Sequence, residues 1–374
     1  MELALTDDQE LLAGTAVRFM DEACPLAVVR QMVGEPSDLP PGYLRAAAEL
    51  GWFSLLVPEE LGGGSVSGDG LGDAAVVAEE RGRRLQPGPF VPMNVVAAAL
   101  AARGSAEQHR HVLGPLLDGA AVATWVASDS RGRWAPAEAI SAEPDAGGFV
   151  LSGRAGAVQG AAEADWLLVT AAAPAGPSQF VVASSTPGLS VRPLESHDIT
   201  QRFADVELDR VAVALDALVG EVGGAEEDIE RQFRQALVLS VAETVGTLDG
   251  LFEMTRRYAV DRSAFGRPIG SFQAVKHQLA DLSLSVEAAK AVSAAATRAV
   301  QGGQAEAGEI ASMAKAWVAD AGIEVAQGCF QIFGGIGYTW EHDLHLFLRR
   351  LTMNGLLFGQ GDWHRERICR IHGL

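Results

Sequence analysis

Cysteine is scarce in this sequence, with Cys24, Cys329 and Cys369 the only three in 374 residues. That is too few for a disulfide framework and suits a reduced, cytoplasmic globular protein. An uninterrupted apolar run of membrane-spanning length is also missing, and the chain does not open on a signal peptide, so neither a membrane span nor secretion is expected. Positive charge is short: 29 Lys and Arg stand against 48 Asp and Glu, a net charge of −19. The average surface field then repels phosphate backbones and anionic bilayers, which argues against nucleic acid and membrane as partners. Fixed-period repeats and low-complexity tails are lacking too. What is present is a hydrophobic fraction of 48%, enough in a chain of this length for two or three domains with substantial cores.

Three textures follow one another. Residues 1–120 read as mostly helical: Thr6 with Gln9 three residues on forms a capping-box pattern, Leu11, Leu12, Val17 and Phe19 follow, and a helix start is expected near Asp7. A loop at Pro58-Glu59-Glu60-Leu61-Gly62-Gly63-Gly64 comes later, and Glu79 and Glu80 read as solvated helix charges. Residues 121–219 change to short β-rich runs, Phe149–Leu151, Trp166–Val169, Phe180–Val182, Leu189–Val191 and Phe203–Leu208, split by Gly, Pro, Ser and Asp. A small antiparallel barrel or sandwich is the expected architecture. Residues 220–374 carry long amphipathic patterns. Leu237, Val241, Val245, Leu248 and Phe252 recur at helical spacing, as do Phe272, Val275, Leu279, Leu282 and Val286. Breaks at Gly266-Arg267-Pro268 and Gly302-Gly303 separate helices of an up-down bundle. The fold class expected is α+β: helical N-terminal domain, central β domain, C-terminal four-helix bundle.

The most informative stretch is Gln331 to Asp362, QIFGGIGYTWEHDLHLFLRRLTMNGLLFGQGD. A helix with Ile323, Ala326, Phe330 and Phe333 on one face breaks at Gly334-Gly335 and Gly337, where glycines let backbone approach a ligand closely. Upstream, Arg262-Ser263-Ala264-Phe265-Gly266-Arg267-Pro268-Ile269-Gly270-Ser271-Phe272-Gln273 combines a guanidinium fork, an aromatic face and an amide.

Both stretches resemble signatures of the acyl-CoA dehydrogenase family. Gln331, Gly334-Gly335, Gly337, Arg349 and Gly359 fit the C-terminal pattern, and Arg262, Phe265, Gly266 and Gln273 fit the element that binds the ADP half of FAD on a neighbouring subunit. The PEELGGG loop and the run Phe203-Ala204-Asp205-Val206-Glu207-Leu208 are similar to further family segments. The resemblance implies FAD as cofactor, an acyl-CoA thioester as substrate and α,β-dehydrogenation as reaction. It also implies that Arg262, Phe265, Gln273, Gln331 and Gly335 are the cofactor-binding residues.

Two departures from the family pattern stand out. The turn that should read Tyr-Glu-Gly-Thr reads Leu357-Phe358-Gly359-Gln360, so Phe358 occupies the position of the catalytic glutamate. A weakly acidic α-proton needs a positioned base, and Phe358 has no titratable group. The alternative base position of some relatives falls on Ala236; Asp228 and Glu230 lie roughly two turns before it and Glu243 about two turns after it. The segments that contact the flavin ring are also altered. The Thr-Glu-Pro-Gly-x-Gly-Ser-Asp motif becomes Ala127 to Trp134, and Trp-x-Thr becomes Ala157-Val158-Gln159, losing a donor and a stacking wall.

A chain keeping the donated nucleotide arm without base or ring pocket resembles the subunit lacking the catalytic glutamate in actinobacterial α2β2 acyl-CoA dehydrogenases acting on bulky steroid side-chain thioesters. The expectation is a non-catalytic subunit completing the FAD site of a homologous, glutamate-bearing partner. The alternatives are a self-sufficient homotetramer with a relocated base, a different flavin reaction on the same fold, and a scaffold that binds no flavin.

Overall fold

The computed structural model describes residues 5–33 and 39–374. Helix α1 (Asp7–Ala23) opens with the capping box its sequence requires: the Thr6 hydroxyl accepts from the Gln9 amide at 3.2 Å while the Thr6 amide donates to the Gln9 side chain at 3.3 Å. The buried face is Leu12, Ala16 and Met20, at intervals of four; Leu11 points to solvent. Short helices α2 (Leu26–Gln31) and α3 (Tyr43–Glu49) precede a single turn at Glu59–Leu61. That turn closes on Gly62 at φ +86°, and Gly63 approaches so near that an added Cβ would lie 1.9 Å from the Val57 carbonyl oxygen. Glycine is therefore obligatory at 63. Helices α4 (Gly70–Arg83) and α5 (Phe90–Arg103) follow, then the short turns α6 (Ala106–Gln108) and α7 (Gly114–Leu117).

Eight strands come next: β1 (Ala123–Val126), β2 (Ile140–Asp145), β3 (Gly148–Gln159), β4 (Trp166–Ala173), β5 (Gly176–Ala183), β6 (Leu189–Leu194), β7 (Phe203–Ala214) and β8 (Leu218–Val219). They form one sheet in the order β6-β7-β3-β2-β4-β5-β8, with β1 beside β4. Pairing is antiparallel except that β1, and one residue pair of β2, run parallel to β4. Its core holds Val126, Leu151, Leu167, Phe180, Val206 and Val211. The β3–β7 ladder has two irregularities, at Leu151/Gly153 and Ala155/Val158. The second contains Ala157 at φ +50°.

The C-terminal segment contains α8 (Glu226–Asp261), a two-residue hairpin of β9 (Ser263–Ala264) and β10 (Arg267–Pro268), α9 (Gln273–Gln301), α10 (Ala307–Phe333), α11 (Leu344–Leu356) and α12 (Gly361–Ile371). The chain gathers into two compact units. One is Met1–Val28, Ala75–Gln86 and Leu237–Leu374; the other, which holds the sheet and the start of α8, is Val29–Ala74 and Pro87–Ala236. Within the first, α10 packs on α9, α11 and α12. Also within it, α4 crosses α8 at backbone contact. A Cβ at Gly82 would lie 1.9 Å from the Glu243 carbonyl oxygen, and one at Gly246 would lie 1.8 Å from that of Glu79. Glu79 and Glu80, expected as solvated charges, are instead half-buried and paired with Arg83 and Arg84 at 3.0 and 2.5 Å, and burial pushes the Glu79 pKa up. No helix among the described residues is long and apolar enough to cross a membrane.

Candidate cofactor site

The residues expected to hold a nucleotide lie at three helix ends of one unit and in the hairpin between two of them. Arg262 follows α8, and its backbone is fixed on both sides: its amide donates to the Tyr258 carbonyl at 2.8 Å and its carbonyl accepts from the Ile269 amide at 2.7 Å. The hairpin beyond it turns on Phe265 and Gly266, at φ +51° and +79°. Two successive positive φ angles are what a two-residue hairpin demands, but only glycine meets that without strain. Phe265 accepts the strain and is 95% exposed, with the Phe272 ring edge-on to it at 6.2 Å between centroids. Gln273 opens α9, Gln331 lies in the last turn of α10, and Gly335 lies just past it. Tyr258 stacks on Phe333 at 4.1 Å and 16°, which holds the end of α8 against the end of α10.

All five of these residues are exposed. The side chains of Arg262, Gln273 and Gln331 make no hydrogen bond or ion pair with other described residues. A guanidinium, two amides and an aromatic face are thus held on rigid helix ends with their binding capacity unspent. Gly335 has open space around it, with nothing within 4 Å of an added Cβ. This arm fits the nucleotide half of FAD.

The turn at Phe358 carries no carboxylate. Phe358 sits half-buried at φ +56°, and its carbonyl oxygen lies 3.0 Å from His364 Nε2. A carbonyl can only accept, so Nε2 carries the proton. Burial, then the neighbouring Lys315 charge, pushes the His364 pKa down to about 3, which keeps the ring neutral. Gly359 must be glycine, because a Cβ there would lie 2.8 Å from the Trp363 ring. One turn back, the buried Lys315 ammonium donates to the Asn354 carbonyl.

The carboxylates nearest in sequence to the alternative base position are committed elsewhere. Glu243 is buried and paired with the fully buried Arg350 at 2.8 Å. Asp228 is shared between Arg103 at 2.9 Å and Arg231 at 2.6 Å, and Glu230 pairs with Arg234 at 2.9 Å. Ala236 is itself fully buried.

The segments expected to face a flavin ring lie in the other unit. Ala127 is buried and offers no hydroxyl. The Ser128 hydroxyl donates to the Gly156 carbonyl at 2.8 Å, and the Gly156 amide donates to the Asp129 carbonyl at 2.8 Å. The Asp129 carboxylate closes its own loop, accepting from the amides of Arg131 and Arg133 at 2.8 and 2.9 Å and from Arg133 Nε at 2.7 Å. Burial raises its pKa, but the hydrogen bonds from Arg133 and Arg131 outweigh it and hold the carboxyl below the usual range. Arg133, in the serine position, is thereby tied down. The Trp134 indole stacks on Phe233 at 4.4 Å and 16°, with Trp125 edge-on to it at 5.0 Å. These residues do not fit the ring half of FAD. Sequence reading missed the aromatic cluster, whose members come from β1, the loop after it and α8.

A helical N-terminal segment, a central sheet and a long-helix C-terminal segment bearing such an arm define the acyl-CoA dehydrogenase fold. Residues 6–120 match the acyl-CoA dehydrogenase N-terminal domain and residues 227–372 the C-terminal domain. The chain is 30% identical over 352 residues to the acyl-CoA dehydrogenase IpdE2 of Mycobacterium tuberculosis, spanning 92% of this chain and 91% of that one. It belongs to the acyl-CoA dehydrogenase family, whose members are FAD-dependent oxidoreductases. Among solved structures it is similar to the ChsE4–ChsE5 complex of Mycobacterium tuberculosis, with TM-score 0.91 and 25% identity, covering 100% of this chain and 99% of that one. It is also similar to the Tcur3481–Tcur3483 steroid ACAD, with TM-score 0.87 and 28% identity over 98% of each chain.

Proposed function

We propose that this chain is the glutamate-free subunit of a heteromeric acyl-CoA dehydrogenase, lending its nucleotide arm to FAD seated in a homologous subunit that keeps the base. The observation that carries this reading is an asymmetry. Arg262, Phe265, Gln273, Gln331 and Gly335 stand exposed and uncommitted, while the base position is Phe358 and the ring-side segments are closed on themselves. In the reaction, bound FAD supplies the hydride acceptor. This chain's part is to grip the pyrophosphate with Arg262, to lie against the adenine with Phe265, and to hydrogen-bond polar edges with Gln273 and Gln331. The partner supplies the carboxylate that takes the α-proton.

Support for a two-component enzyme comes from the paired subunits named in both similar structures, one of them a steroid ACAD. An α2β2 assembly acting on a bulky, steroid-type acyl-CoA is the form this reading takes. Its test is co-expression with a homologue bearing the glutamate, comparing unaltered chain with Arg262→Ala. Losing one charge-assisted contact to the pyrophosphate is expected to weaken FAD retention by roughly tenfold or more. Unchanged FAD content in the variant complex would count against the proposal.

A further inference from the structure

Two segments of the sheet unit, 127–134 and 157–159, are those the family resemblance assigns to flavin-ring contact, and the structure locks them together through Ser128, Asp129 and Gly156. The resemblance puts an indole where this chain has Ala157, and the first segment ends on an indole of its own, Trp134, held between Phe233 and Trp125. We infer that the Trp134 indole, clamped against Phe233, is the built-in occupant of this chain's own ring seat, so that the seat is filled by protein and closed to flavin. The inference rests on the proposed function for where a ring would lie.

The clamp is rigid from both sides. Phe233 is 1% exposed, and its neighbour Gln232 exchanges two hydrogen bonds with Gln179 at 2.6 and 2.8 Å, a fully buried amide pair tying the start of α8 to β5. Gln179 also donates to the Thr170 hydroxyl at 3.2 Å, and the same hydroxyl accepts from Trp125 Nε1 at 2.9 Å. Trp125 in turn presses edge-on against Trp134. One continuous buried network therefore positions both walls around the indole. The Trp134 and Phe233 rings are nearly parallel at 4.4 Å, so no third ring can enter between them. Opening the stack would expose Phe233 and strand the amide pair, a conformational cost that a ring entering from solution does not recover.

The test titrates the purified full-length chain with lumiflavin, the ring half of FAD without the nucleotide, by equilibrium dialysis. Unaltered protein is expected to bind none. Trp134→Gly is expected to leave an aromatic-walled slot that binds lumiflavin at least tenfold more tightly than the unaltered chain and whose melting temperature rises when free indole is added. Lumiflavin uptake by the unaltered chain at one per chain would overturn the inference. So would a folded Trp134→Gly protein, verified by circular dichroism, that binds neither lumiflavin nor indole. Should that variant not fold, the unaltered chain and Trp134→Phe, which keeps a stacked ring, decide alone: uptake by either refutes the inference, and refusal by both supports it. None of these outcomes depends on Arg262, so failure here and failure of the arm-lending reading are told apart by FAD content of the Arg262→Ala complex.

Discussion

Two phenylalanines, Phe265 and Phe358, hold left-handed backbone at φ +51° and +56°, a conformation that costs a bulky residue about 1–3 kcal/mol. Both lie at positions where the family places function, and they differ in what surrounds them. Phe265 projects into solvent, while Phe358 is anchored by His364. Because the ring-side segments do not fit a flavin, restoring a carboxylate is not expected to restore chemistry: Phe358→Glu, expressed alone, should show no dye reduction with an acyl-CoA. Turnover by that variant would mean the chain seats its own cofactor. A different single side chain should govern stability. Burial lowers the Lys315 pKa to about 7, with Glu243 drawing it back up. Between that value and the ordinary lysine range the unfolded chain holds a proton that the folded chain has released, so stability climbs with pH through this window and is lowest at or below about pH 7. The full span is worth up to about 5 kcal/mol. Lys315→Met should flatten the rise in melting temperature between neutral pH and pH 10, and an unchanged slope would place the titration elsewhere. Arg262 and Gln331 could be singled out in the sequence as candidates because their motifs are contiguous. The Glu243–Arg350 pair was not, because its partners lie 107 positions apart and only packing brings them together.

Helix boundaries followed local chemistry closely where a cap was written into the chain. The Thr6–Gln9 box starts α1 at Asp7 as its residues require, and Thr6→Ala should cost about 1 kcal/mol, measurable as a lower melting temperature. The face that α1 buries was less legible, since Leu11 and Leu12 are equally apolar and only the neighbours decide that Leu12 turns inward. Crossings are a further case: no sequence pattern singles out Gly82 or Gly246, yet each meets the other helix's backbone. A methyl group at Gly246 collides with a carbonyl that cannot move without breaking α4. Gly246→Ala is therefore expected to destabilise by more than the roughly 1 kcal/mol that helix propensity alone would return in its favour. Equal or higher stability by chemical denaturation would show that the helices part without penalty. The expected sheet was antiparallel; β1 lies parallel to β4 because the two are joined by a long crossover through β2 and β3 rather than by a hairpin.

The exposed residues proposed to hold the nucleotide lie in one compact unit, and the Trp134–Phe233 stack proposed to fill the ring seat lies in the other. Family membership and fold could be read from sequence, since they rest on contiguous motifs and periodicity. The departure at the turn was legible as a single residue, Phe358. The aromatic cluster was not, because Trp125 and Phe233 belong to no motif and meet Trp134 only through the fold. The most direct test of the account is flavin stoichiometry in the complex purified after co-expression with a glutamate-bearing homologue. One FAD for each pair of unlike chains is the predicted result; one FAD per chain, or dehydrogenation by this subunit without its partner, would contradict it.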